Sequence, residues 1–156
     1  MPTQIRGGQI KDDSITGADV DESTLVLRYV YSAKYTIDSG SGIKYIRWNT
    51  NSSNSSPGVN NKFIMPGAGS LKKVLIRSSH VMGNTDVSLH KASDGTSDLS
   101  TTPTETQTVN VASADTVVTA TFSSANFSAN DIIGISVDPT NVHGNVDLTV
   151  IIEMDF

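Results

Sequence analysis

The chain has 156 residues, 37% hydrophobic and 17% charged, with a net charge of −5 and no cysteine. That length carries one core of ordinary size and little besides. The composition excludes a disulfide framework or thiolate metal site, a bilayer-spanning run, and nucleic acid as an expected partner, since phosphate neutralisation needs clustered Lys and Arg. Both fractions are low for a globular protein, and Ser, Thr, Asn, Asp and Gly fill the gap, as in turn-rich β-proteins.

The N-terminus, Met1-Pro2-Thr3-Gln4-Ile5-Arg6, lacks the apolar stretch of a signal peptide, so synthesis in a cytoplasm is expected. Ile5, Ile10, Ile15, Val20 and Leu25 then fall at a strict five-residue spacing in an otherwise polar segment. On a helix five residues advance about 500°, so successive apolar groups land roughly 140° apart and form no stripe. On a strand the odd step alternates faces. A segment this polar buries too little by itself to offset its ordering entropy. The spacing points to an arm, residues 1–24, that orders against copies of itself or another protein. Its acids Asp12, Asp13, Asp19, Asp21 and Glu22 match no calcium-loop spacing and read as solvated.

From residue 25 the pattern becomes short β-like runs: 25–31, 43–48, 62–65, 71–78, 86–91, 106–111, 116–122, 132–137 and 146–156. The last alternates most clearly, with Val146, Leu148, Val150, Ile152, Met154 and Phe156 on one face and Ile151 the single apolar exception on the other. Asp94-Gly95, Pro66-Gly67, Pro57-Gly58 and Asp138-Pro139 mark turns between runs. No window carries a helical period. About nine strands in residues 25–156 predict an all-β, antiparallel sandwich of jelly-roll type, with an immunoglobulin-like sandwich as the alternative. Residues 49–61 and 93–106 read as polar surface stretches.

Chemistry-bearing residues are sparse. His80, His90 and His143 share no ligand spacing, so no metal is expected, and His90, opposite Val87 and Leu89, is expected to face solvent. Lys72 and Lys73 form a local basic pair expected at a solvated strand edge. No Gly-x-Ser-x-Gly elbow is present, although a serine could still pair with one of the histidines. Glu105 and Glu153, the glutamates outside the arm, are not marked as a hydrolytic pair. No catalytic residue and no cofactor are therefore expected. Tyr29, Tyr31, Tyr35, Tyr45 and Trp48 concentrate aromatic surface in the first third of the sandwich, where core or interface packing is favoured over a ligand platform. Trp48, with Asn51, Asn54 and Asn60 of the following loop, is the candidate ligand or receptor surface.

Residues 10–16, IKDDSIT, continuing into Gly17-Ala18-Asp19-Val20, resemble a motif of tailed-bacteriophage virion proteins, where such units recur near the N-termini of fibre and adhesin chains. Residues 127–137, FSANDIIGISV, with 145–153 following, resemble the ends of β-sandwich domains in those proteins. The resemblance implies a non-enzymatic virion protein, a head decoration or short fibre. It would be trimeric and fixed to other virion proteins through its arm, a few repeat units suiting a short projection. The alternative it leaves is a receptor-binding tip that contacts a host glycan or surface protein. A small polysaccharide hydrolase is the third and weakest reading, for want of an acid/base pair.

Overall fold

The computed structural model describes residues 27–37, 42–48, 53–58, 61–93, 98–141 and 144–154, so the arm and its boundary at residue 24 lie outside the described residues. Eleven strands are described: β1 (Leu27–Ile37), β2 (Lys44–Ile46), β3 (Ser53–Asn54), β4 (Phe63–Ile64), β5 (Gly69–Ser78), β6 (Gly83–Ala92), β7 (Glu105–Val111), β8 (Val117–Thr121), β9 (Asn126–Phe127), β10 (Ile132–Pro139) and β11 (Gly144–Met154). The first sheet runs β1-β11-β5-β8, with β9 on β5. The second runs β3-β2-β10-β6-β7, with β4 on β10. Every pairing is antiparallel. The chain is an all-β sandwich. Leaving aside the three two-residue strands, every sequential connection crosses between the sheets except the β6–β7 hairpin.

Period-two patterning explains the core. β11 turns Val146, Leu148, Val150, Ile152 and Met154 inward, and β5 adds Leu71, Val74 and Ile76. Val87 and Leu89 of β6 and Ile133, Ile135 and Val137 of β10 face them from the second sheet. Each such aliphatic side chain contributes about 1.5–3 kcal/mol of transfer free energy when fully buried.

The Lys72–Lys73 pair departs from expectation. β5 lies inside the first sheet, between β11 and β8, not at an edge. The register shifts there, with Lys73 opposite Ile151 and Leu71 opposite Ile152. Lys72 is the extra residue of a β-bulge, which sends two consecutive lysines outward while Leu71 and Val74 stay inside.

The outer face of the second sheet also differs from what alternation predicts. Ile132–Val137 are buried on both faces, because residues 98–100 lie over β10. Leu99 joins Tyr45, Ala92 and Ile132 in a second, smaller core, with Ile43 packed against it. Gly134 makes room: a methyl group there would overlap a methyl of Leu99 and stand 2.9 Å from the carbonyl oxygen of Asn61.

Candidate functional site

The expected assembly residues Ile5, Ile10, Ile15, Val20 and Leu25 lie outside the described residues, as do Asn51 and Asn60 of the expected receptor surface. Trp48 and Asn54 are described, and both are half-buried. The Trp48 ring meets Tyr31 of β1 edge-on at 5.3 Å and Phe63 of β4 at 5.7 Å, and Tyr31 and Phe63 are 5.0 Å apart. This cluster packs against the main core. The indole Nε1–H donates to the carbonyl of Asn61.

Asn61 is the residue the sequence did not mark. It is wholly buried, contrary to the reading of 49–61 as one polar surface stretch. Its Nδ2 donates to the Tyr45 carbonyl at 2.9 Å, and its Oδ1 accepts from the Gly58 amide at 3.0 Å and from Asn54 Nδ2 at 2.9 Å. Asn54 Oδ1 in turn accepts from both Nε and Nη2 of Arg47. The polar atoms of Trp48 and Asn54 are thus engaged in fastening this segment to the sheet. A polar stretch that turns back onto its own strand has no periodic signature, so composition alone reads it as solvated.

His90 is likewise buried rather than exposed. A carbonyl only accepts, so the 2.9 Å contact from His90 Nδ1 to the Ser100 carbonyl places the ring proton on Nδ1. Nε2 then accepts from the Ser136 hydroxyl at 2.8 Å. Tyr45 lies 5.0 Å from the imidazole, ring to ring. Burial holds the His90 pKa below its ordinary 6.5, against the opposing effect of the Ser100 carbonyl. The serine–histidine pairing left open by the sequence is therefore realised, but Ser136 is as inaccessible as His90. A nucleophile must reach its substrate, and this one is sealed beneath residues 98–100.

Glu105 and Glu153 are not brought together: they stand on β7 of the second sheet and β11 of the first. Glu105 accepts from the amides of Ser123 and Ser124 at 3.1 and 2.7 Å, tying β7 to the turn after β8. Partial desolvation alone would raise its pKa, and these bonds bring it below 4.5 instead. Among the described residues no three His, Asp or Glu converge to hold a metal ion. Asp86 and Asp138 sit directly opposite each other on β6 and β10 and line an open cleft of about 490 Å³. The hydroxyl of Thr108 donates to Asp86 there.

Among the described residues nothing packs over the outer face of the first sheet. Val30 is 63% exposed and Val117 56%, and between them lie Ile151 and Leu75, both half-buried. Val30 is the direct cross-strand partner of Ile151. Ion pairs flank this apolar diagonal: Arg28 and Lys72 on Glu153 at 2.8 and 3.6 Å, and Lys34 and Arg77 on Asp147 at 3.6 and 3.2 Å. The signal for this face was in the sequence, since Ile151 breaks the alternation of β11. What the sequence did not supply was the register that places Val30 beside it.

No protein-family model matches the chain, and no curated protein matches it. Among solved structures, a chain of the acidic stable capsid structure of Helicobacter pylori bacteriophage KHP30 is similar, with a TM-score of 0.45 and 13% identity over 85% of this chain and 94% of that one.

Proposed function

We propose that the protein is a non-enzymatic structural component of a bacteriophage particle, a head decoration or short fibre that assembles as a trimer and is fixed through residues 1–24. The observation that carries the reading is the five-residue spacing of Ile5, Ile10, Ile15, Val20 and Leu25 immediately ahead of β1. These residues can be covered only by something outside their own segment. Burying five aliphatic side chains contributes at most about 1.5–3 kcal/mol each, against the entropy of ordering about twenty residues. For one chain the ordering cost, about 1–2 kcal/mol per residue, exceeds this gain, so the arm orders only where a second surface adds further burial and hydrogen bonds. The eight longer strands wind between two sheets, with one hairpin among their sequential connections, and we read this winding as a jelly roll, a fold that capsid domains use.

The receptor-tip reading is the weaker one, because the Trp48 indole N–H and the Asn54 amide are engaged within the chain. Particle incorporation tests the proposal. A chain lacking residues 1–24 is expected to keep the melting temperature of the sandwich and to be absent from purified particles. Incorporation at the wild-type level would overturn the anchoring role.

A further inference from the structure

The geometry points to a seat for the arm: we propose that the outer face of the first sheet receives residues 1–24 of a second copy of the chain. This rests on reading those residues as an assembly arm and adds the surface that takes them.

Charge supports the match. Residues 1–24 hold Arg6 and Lys11 against Asp12, Asp13, Asp19, Asp21 and Glu22, net −3. The outer face concentrates five of the chain's eleven basic residues, Arg28, Lys34, Lys72, Lys73 and Arg77. Its acids are Asp147, Glu153 and, at the turn before β8, Asp115, so the face is net +2 on a chain of net −5. Each β11 acid is shared by two cations, and among the described residues Lys73 has no ion-pair partner. The bulge that turns both Lys72 and Lys73 outward creates this surplus.

The face also offers seats for an apolar side chain. Two depressions are described on the face. One, of about 170 Å³, is lined by Arg28, Lys72, Lys73, Ile151 and Glu153. The other, of about 220 Å³, is lined chiefly by Leu75, Arg77, Val117, Asp147 and Thr149. Lys73 in the first and Arg77 in the second are four positions apart on β5, about 13 Å at the rise of a strand. An extended arm turns consecutive apolar residues to opposite sides, so one apolar residue of the arm meets the face at one depression while the flanking acids lie over the lysines.

Length places the arm on a neighbour rather than on its own sheet. The longest strands of the face have eleven residues, about 36 Å, whereas twenty-four extended residues span about 79 Å. Extended, an arm leaving from Leu27 on the rim strand β1 would outrun its own sheet, and the stretch with Ile10, Asp12, Asp13 and Ile15 would lie about 40–56 Å out, on the next copy.

The absence of cysteine makes the test direct. Chains carrying Ile10→Cys, Ile15→Cys or Lys73→Cys are mixed pairwise and oxidised, and a disulfide between an arm cysteine of one chain and Cys at position 73 of another is expected. Light scattering of the full chain gives the mass. Wild type is expected at several chains, and Lys73→Glu with Val30→Asp at one, as for Ile10→Asp with Ile15→Asp in the arm. Adding Asp12→Lys and Asp13→Lys is expected to restore the mass of the Lys73→Glu chain. Both face positions are exposed, so an unchanged melting temperature is the control, and Lys73→Glu alone replaces the pair if it shifts. Dissociation by the arm variant but not the face variant would overturn the docking surface and leave the assembly arm standing. A mass unchanged by either variant, or a single-chain wild type, would overturn both. No disulfide between an arm cysteine and Cys at position 73 in any of the mixtures would overturn docking on a neighbour.

Discussion

Among the described residues, the two outer faces of this sandwich are covered differently. On the second sheet, residues 98–100 and the segment ending at Asn61 cover β10 and its neighbours, and a small core of Tyr45, Ala92, Leu99 and Ile132 forms beneath them. On the first sheet Val30 and Val117 remain exposed between rows of ion pairs. The covered face depends on a few anchors: Leu99 over Gly134, the amide of Asn61, and the imidazole of His90. The bare face depends on none, because its strands are already paired and its core side carries the burial. Substitutions should therefore be costly on the covered face and nearly silent on the bare one.

The largest effect is expected at Leu99, where removal of a buried side chain leaves a cavity over Gly134. Leu99→Ala should cost about 2–4 kcal/mol, read as a lower denaturant midpoint at an unchanged slope. A loss under about 1 kcal/mol would mean that residues 98–100 do not cover the sheet. Asn61→Ala comes next, at about 2–3 kcal/mol, because it strips hydrogen bonds from the Tyr45 carbonyl, the Gly58 amide and the Asn54 side chain together. Its signature is faster amide exchange at residues 53–58 with the β5 and β11 amides still protected.

His90 gives the comparison a pH dependence. Its folded pKa lies below 6.5, so the unfolded chain binds the proton first. The contribution of the neutral buried ring is complete above pH 6.5 and fades as pH falls below it, with a slope of at most about 1.4 kcal/mol per pH unit. Glu105 and Glu153, held below 4.5, act only at more acid pH. Between pH 6.5 and 4.5 the wild type should lose stability while His90→Gln, less stable at pH 7, should not show this loss. Parallel profiles would show that His90 protonates as freely folded as unfolded.

The sequence made the first sheet more legible than the second. All nine expected runs became strands. β1 extends to Ile37 instead of stopping at residue 31, because Ser32, Ala33 and Lys34 are weak strand formers on their own and gain partners along the whole of β11. The two-residue β3 and β9 were missed, being too short to show a period. On the second sheet, His90 and Asn61 were read as solvated because polar residues usually are. Only the chain's return over its own strands buries them, and that long-range contact leaves no trace in local spacing. The bulge at Lys72 is invisible for the same reason, since a doubled outward position is defined by the partner strand. As for the candidate site, the aromatic cluster was legible as a group, and Trp48 stands with Tyr31 and Phe63 against the core.

The smallest effect belongs to the bare face, and it tests the comparison from the other side. Arg28 donates to Glu153 at 2.8 Å, yet the Arg28 side chain is 63% exposed. An ion pair that well solvated gains little from Coulomb attraction, and holding two long side chains in one geometry costs entropy. Arg28→Ala is expected to change stability by about 0–1 kcal/mol at low salt and by less at high salt. The same bond, foremost, holds the Glu153 pKa below 4.5. The variant should let that carboxyl titrate closer to 4.5 in carbon-detected NMR, while the neighbouring Lys72 limits the rise. A shifted Glu153 titration with an unmoved melting temperature is the outcome that separates the faces, a local electrostatic change that the fold does not register. A loss above about 2 kcal/mol would show instead that the outer rows of charge hold the first sheet together, and the distinction between anchored and unanchored faces would fall.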